Sequence, residues 1–321
     1  MSHTVLLTGA SGFVGKAVLE ELLARGYSVV AALRNTPAEL DPRATVSRFE
    51  ALDGLTNWST ALAGVRTVIH SAARVHVMND IETDPLAAFR KVNVEGTLNL
   101  ARQAAQAGAR RFVFISSIKV NGEGTTKGRP YNADDAPAPA DPYGVSKMEA
   151  EQALRLLASE TRLEVVIVRP VLVYGPGVKA NFLAMMRWLD KGVPLPFGAV
   201  DNRRSLLALG NLADLVVTCV AHPAAANQTF LVSDGEDLST SGLLRRMAKA
   251  LGKPARLLPV PSSLLELGAG LLGKRSLSQR LCGSLQVDIE KTRSLLGWKP
   301  PISVDDALRL TARDYQEKTR K

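Results

Sequence analysis

The chain has 321 residues, 46% of them hydrophobic and 22% charged, which is enough apolar content for one large domain or a large domain with a smaller lobe. Its net charge of +9 suits an anionic ligand. The basic residues are scattered and aromatics make up only 5%, so no basic stripe with stacking rings marks a nucleic-acid partner.

Cys219 and Cys282 stand at no metal spacing, which excludes a disulfide framework or a cysteine metal centre and implies buried thiols in a reducing compartment. Met1-Ser2-His3 runs straight into the first strand, leaving no room for a signal peptide, and no run of about 18 apolar residues exists for a membrane span. A cytoplasmic protein is expected. The apolar stretch Leu264 to Gly273 is too short to cross a bilayer and reads as a packed helix, with a weak interfacial contact as the alternative.

Thr4-Val5-Leu6-Leu7-Thr8 is an apolar run of the kind that makes a buried parallel strand. Gly9-Ala10-Ser11-Gly12-Phe13-Val14-Gly15 follows, then a helical stretch from Lys16. Strand, glycine turn and helix start form a pyrophosphate pocket: Gly9 permits the sharp turn, Gly12 the approach of backbone to ligand, and Gly15 close packing of helix on strand. The free N–H groups and dipole of the helix N-terminus face the phosphates. The spacing is G-x-x-G-x-x-G rather than G-x-G-x-x-G, so this signal needs support from elsewhere in the chain.

Ser28 to Leu33 is a second buried strand. An acid at its end would hydrogen-bond the adenosine ribose of NAD, but Arg34 stands there and suits a 2′-phosphate, so NADP(H) is favoured and NAD(H) remains possible. Val46 to Leu52 is a third strand ending at Asp53, which either reaches the adenine amino group or caps a helix starting near Thr56. Arg66 to His70 is the fourth, and Ser71-Ala72-Ala73 offers small residues beside the cofactor. His70 and His76 lack partners at ligand spacing and read as packing or loop histidines.

A long helical stretch from Asp84 to Ala107 carries Asn93, a residue type that ties backbone elements together when buried. Arg111 to Ser116 is the fifth strand; it ends in Ser116-Ser117, at the carboxyl edge where open α/β sheets place ligands. The segment from Asn121 to Pro142, rich in Gly, Pro and Asp, reads as a functional loop. Asp141-Pro142 caps the next helix, on which Tyr143 and Lys147 lie four apart and share a face. Val165 to Val168 is the sixth strand.

Helices are then expected over 182–191, 211–221, 240–251, 262–272, 288–296 and 303–318, with short strands over 206–208 and 230–232. This gives a doubly wound parallel Rossmann-type α/β sheet, with a dinucleotide-binding domain over 1–175 to which later segments return, and a smaller, mainly substrate-binding lobe over 176–321.

The chemistry follows from three side chains. Tyrosine has a reference pKa of about 10, and an ammonium one turn away favours the phenolate. Lys147 is expected to lower Tyr143 in this way and to donate to the nicotinamide ribose, while Ser117 aligns the substrate oxygen. Together they transfer a proton to or from an oxygen as hydride moves at its carbon.

Thr8-Gly9-x-x-Gly12-x-x-Gly15, Ser117, Tyr143-x-x-x-Lys147, Arg169-Pro170 and Tyr174-Gly175-Pro176 resemble the extended short-chain dehydrogenase/reductase family over nearly the whole chain. The resemblance makes Ser117, Tyr143 and Lys147 the catalytic candidates. The cofactor candidates are Gly9, Ser11, Gly12, Phe13, Val14, Gly15, Arg34, Leu52, Asp53, Ala72, Ala73, Asn93, Tyr143, Lys147 and Pro170. Family members mostly act on nucleotide sugars, which makes Asn181, Arg204 and Arg280 candidates for the substrate diphosphate.

The 4,6-dehydratases of the family carry an Asp-Glu pair where this chain has Ile118 and Lys119, so dehydration is not expected. Asn121-Gly122 replaces the usual Tyr-Gly, and Leu172 replaces a frequent Asn. The whole is similar to bacterial UDP-4-keto-6-deoxy-N-acetylhexosamine 4-reductases of surface-polysaccharide assembly, which make UDP-N-acetyl-quinovosamine or its C4 epimer using NADPH. The alternatives are a UDP-sugar 4-epimerase holding NAD and a non-catalytic NADP sensor on the same fold. Family dimers pair the Tyr143 helix with the 84–107 helix. Ala150, Ala153, Leu154 and Leu157 fit such a homodimer face, or the core.

Overall fold

The computed structural model describes residues 3–35, 40–75, 84–271, 273 and 275–320, with the backbone alone for 275–278. Seven strands form the main sheet: β1 (Thr4–Thr8), β2 (Ser28–Leu33), β3 (Thr45–Arg48), β4 (Thr67–His70), β5 (Arg111–Ile115), β6 (Glu164–Pro170) and, as the last to join, β9 (Thr229–Val232). They pair in parallel in the order β3-β2-β1-β4-β5-β6-β9. The order reverses direction between β1 and β4, and a sheet of this kind binds its ligand in the crevice outside the carboxyl ends at that point.

Both faces of the sheet are covered over its central strands, which is why those are apolar runs rather than alternating ones, whereas the edge strand β3 is largely exposed. Val5 and Leu7 pack on one side with α1 (Phe13–Ala24) and, from later in the chain, α6 (Leu209–Ala221). Leu6 points the other way, into a cluster with α3 (Thr97–Gln106) and α4 (Pro142–Glu160). Ala150, Leu154 and Leu157 of α4 are buried in that second cluster, so these positions are core within one chain rather than a free dimer face.

A second sheet, in the order β10-β8-β7, joins β7 (Leu172–Tyr174), β8 (Arg204–Ala208) and β10 (Asp237–Leu238). It shares a third cluster with α5 (Ala180–Asp190), α7 (Thr240–Ala250) and α11 (Val304–Thr319).

Several elements depart from the sequence reading. The third strand is shorter than expected, Thr45–Arg48 instead of 46–52. No helix follows Thr56; residues 59–64 are turns, because the Thr56 carbonyl accepts from the Asn99 and Gln103 side-chain amides instead of entering a helical ladder. The expected single helix over 84–107 is α2 (Pro85–Arg90), a π-helical turn at Lys91–Gly96 and α3. β7, β10 and α9 (Arg275–Cys282) were not anticipated.

α8 (Ser262–Leu271) is present but is not the packed helix expected: none of its residues is buried, and Leu267 is 62% exposed, because the third cluster does not cover its leucine face. α10 (Glu290–Leu296) closes over β9. Cys219 is buried as expected, but Cys282 is only partly buried. No described helix is long and apolar enough to cross a membrane. His76 lies outside the described residues.

Candidate active site

The glycine turn connects β1 to α1. Gly9 has φ +74°, and a Cβ there would lie 2.8 Å from the Ala72 nitrogen. A Cβ on Gly15 would lie 2.0 Å from the Gly9 carbonyl oxygen, so the helix can approach this closely only with glycine. The N–H of Gly12 closes the turn on the Gly9 carbonyl at 2.9 Å. No side chain caps the start of α1, so its first amides remain available to a phosphate. Ser11 is exposed at the rim, with Phe13 and Val14 partly buried beside it. This cradle fits a dinucleotide pyrophosphate.

The other cofactor candidates lie along the same carboxyl edge. Arg34 is exposed one residue beyond β2 and has no partner among the described residues. Leu52 is buried where Gly96 passes it, a Cβ on Gly96 being 2.9 Å from the Leu52 backbone. Asp53 caps its own turn, accepting from the Leu55 N–H at 3.0 Å and the Thr56 hydroxyl at 3.1 Å. The Leu55 N–H holds its carboxyl below the usual range. Ala72 donates its N–H to Thr8 Oγ1 at 3.2 Å, Ala73 follows partly buried, and Pro170 ends β6 beside Val232.

Asn93 sits in the π-helical turn, and its amide is spent within the protein. It accepts from the Arg74 N–H at 2.8 Å and donates to the Arg74 carbonyl and to Ser146 Oγ, both at 3.0 Å. It therefore ties the 71–75 segment to α4 between Tyr143 and Lys147. His70 is a packing residue: its ring nitrogens lie 2.7 Å from Thr8 Oγ1 and 3.0 Å from Thr97 Oγ1, and burial drives it down to about 3.

Asp141 caps α4, accepting from the Gly144 N–H at 2.7 Å, and Pro142 opens the helix. This fixes the phase on which Tyr143 and Lys147 emerge. Lys147 is 2% exposed; its Nζ donates to the Ile115 carbonyl at 2.8 Å and lies 4.3 Å from the Phe114 ring centroid. Burial brings this ammonium down to about 7, with the Glu151 carboxylate opposing.

Tyr143 is partly buried with its ring edge-on to Phe89, centroids 6.0 Å apart. Burial, with the Asp141 carboxylate adding to it, pushes its phenol up to about 12. The expectation that Lys147 lowers Tyr143 is not met: burial and Asp141 raise the phenol, and the ammonium is turned to Ile115 and Phe114. Ser117 caps the short turn Ile118–Val120, accepting from the Lys119 N–H at 3.2 Å. Ile118 is buried, and Lys119 is paired with Asp141 and Glu123.

Beneath these groups lies a buried ion pair that the sequence reading did not single out. Glu151 and Arg169 are each 1% exposed and meet through contacts of 2.9 and 2.5 Å. The available signal was spacing: Tyr143, Lys147 and Glu151 recur every four residues on one helix.

The substrate candidates are less tightly held. Arg204 opens β8, is partly buried and donates to the Gly283 carbonyl at 3.0 Å; burial and the Arg280 charge both lower it. Arg280 is exposed on α9, and Asn181 is exposed in the first turn of α5. The loop after Ser117 reaches the Arg204 neighbourhood through Thr125, whose N–H donates to the Ser284 carbonyl at 2.8 Å. The turn at Gly177 comes within 3.9 Å of the Phe13 ring, measured from where a Cβ would stand.

A parallel doubly wound sheet with a glycine cradle and a Tyr-Lys helix at its carboxyl edge is the architecture of a nicotinamide-dependent oxidoreductase. Residues 5–233 match the NAD dependent epimerase/dehydratase family, and the chain belongs to that family of enzymes. It is 48% identical to a UDP-glucose 4-epimerase of Vibrio cholerae, over 98% of this chain and 96% of that one. It is 26% identical to a GDP-6-deoxy-D-mannose reductase of Pseudomonas aeruginosa, over 100% and 99%. Among solved structures, a UDP-glucuronic acid 4-epimerase of Bacillus cereus in complex with NAD shares the fold, with a TM-score of 0.78 at 22% identity, over 98% of this chain and 99% of that one.

Proposed function

We propose that the protein is an NADPH-dependent 4-ketoreductase of a UDP-4-keto-6-deoxy-N-acetylhexosamine, giving UDP-N-acetyl-quinovosamine or its C4 epimer. Arg34 carries the reading. An acid beyond β2 would accept from a ribose 2′-hydroxyl, whereas an exposed guanidinium there favours a 2′-phosphate. The reduced nicotinamide, when bound, supplies the hydride.

Tyr143 donates its phenolic proton to the C4 oxygen, for which a phenol held protonated at neutral pH is suited. Lys147 holds the nicotinamide ribose and stabilises the phenolate left behind. Ser117 accepts from Lys119 and keeps its O–H free to donate to the same substrate oxygen. Asn181, Arg204 and Arg280 hold the diphosphate. Leu172, 49% exposed where the family often has asparagine, suits the methyl group of a 6-deoxy sugar. The relative in P. aeruginosa, named a reductase, supports the same chemistry. Residues 1–175 serve the dinucleotide and 176–321 mainly the sugar, in a homodimer that sedimentation checks.

The second reading, a UDP-sugar 4-epimerase retaining NAD, is favoured by the 48% relative in V. cholerae. One experiment separates them. The purified enzyme is given NADPH with a UDP-4-keto-6-deoxy-N-acetylhexosamine and, separately, UDP-glucose with NAD. Stoichiometric NADPH oxidation is expected in the first tube; UDP-galactose in the second without it overturns the reductase.

A further inference from the structure

We propose that the buried Glu151–Arg169 pair is a positioning device for the reaction: it fixes Ser117 from both sides and places a carboxylate one helical turn from Lys147. The proposal rests on the roles assigned above to Ser117 and Lys147.

The geometry is continuous. Ser116 Oγ donates to Glu151 Oε1 at 2.6 Å, so the residue before Ser117 is tied to the carboxylate. Arg169 spends Nε and one terminal nitrogen on Glu151, at 2.9 and 2.5 Å, and gives the other terminal nitrogen to Asn121 Oδ1 at 2.9 Å. Asn121 ends the short turn that Ser117 caps. Its own amide donates to the Asn132 carbonyl at 3.0 Å, which extends the tie into the loop beyond. Ser117 thus stands between two residues clamped to one ion pair.

Glu151 also sits one helical turn from Lys147. Among the described residues, that ammonium meets the Ile115 carbonyl and Phe114 ring from β5 and acts on His70 from β4, while Glu151 stands one turn along its own helix. His70 is neutral, and Glu151, itself paired with Arg169 and at 3.3 Å with Arg155, is the carboxylate whose field acts on Lys147 among the described residues. Stability alone is a weak reason for such a pair, since well-packed apolar residues replace buried ion pairs at little or no cost.

The test uses Glu151→Gln, which keeps an acceptor for Ser116 but not the charge, and Glu151→Asp, which keeps the charge. NADPH affinity is measured by cofactor fluorescence from pH 6 to 10 with no sugar present, alongside the pH profile of kcat/KM and the melting temperature. In Glu151→Gln the alkaline limb of both profiles is expected to move about one unit lower, roughly a tenfold loss on that limb. In Glu151→Asp it stays in place even if melting falls. Should Glu151→Gln not fold, Ser116→Ala, which cuts the tie beside Ser117 and leaves both charges, takes its place: kcat/KM is expected to fall about tenfold with the limb unmoved, and an unchanged kcat/KM overturns the proposal.

A limb that is unmoved in the folded Gln variant, or moved equally by Asp and Gln, overturns the proposal. The affinity arm needs no sugar. An enzyme that binds NADPH but reduces no 4-keto sugar therefore sinks the substrate reading and leaves this one still decided by the limb.

Discussion

The two halves of the site are held in different ways. On the inner side, Lys147, Glu151 and Arg169 are each at most 2% exposed, and every one is engaged by partners on strands or helices of fixed register. On the outer side, Asn181 and Arg280 are exposed, and Arg204 is held by a single bond to a loop carbonyl. Groups proposed to meet or to position the reacting atoms are built on the sheet and its helices, where neighbours leave them little freedom. The residues proposed for the variable ligand stand at the start of β8 and near the ends of α5 and α9, where they can be exchanged with little disturbance of the core.

The sharpest way to break this contrast is Tyr143→Phe. It removes the proposed proton donor and is expected to lower kcat/KM by about a thousandfold, while fluorescence titration shows cofactor affinity lowered far less. Retained turnover would exclude the acid role.

A pair of glycines tests the rigid cradle against an uncovered helix. Gly15→Ala places a methyl 2.0 Å from the Gly9 carbonyl oxygen. It is expected to destabilise by about 2–3 kcal/mol and to abolish NADPH binding. Gly268→Ala in α8 meets nothing within 4 Å. It is expected to raise stability by about 0.5–1 kcal/mol. Urea denaturation measures both, and similar costs at the two positions would erase the distinction.

Arg34→Ala is smaller. NADPH affinity is expected to fall about tenfold with NADH unchanged, the size of one charge-assisted hydrogen bond. Equal loss for both cofactors would remove the 2′-phosphate assignment.

An effect of similar size concerns pH. His70 is buried between two threonines and held down at about 3, below its ordinary 6.5. Its stabilisation is complete above about 6.5 and is lost as pH falls towards 3, because the unfolded chain then binds a proton the folded chain refuses. Between pH 6 and 5 its share is at most about 1.4 kcal/mol, and His70→Gln should flatten that part of the urea series.

Legibility followed locality. The β1–turn–α1 unit could be read because Gly9, Gly12 and Gly15 act within one turn of chain, and the start of α4 because Asp141 and Pro142 cap it locally. β7 was missed because its three residues are a strand only by pairing with β8, some thirty residues later. The helix expected after Thr56 failed because amides from α3 take its first carbonyl. The leucine face of α8 looked like core because periodicity shows that a face is apolar, not that anything covers it.

The sequence by itself determined a parallel α/β sheet, its glycine cradle and the shared face of Tyr143 and Lys147, since each depends on residues a few positions apart. Only the tertiary structure decided that Lys147 turns to the Ile115 carbonyl, that burial raises the Tyr143 phenol, that Ala150, Leu154 and Leu157 are core, and that Glu151 finds Arg169. Burial and charge pairing are set by segments far apart in the chain, and no local pattern encodes which of them will meet.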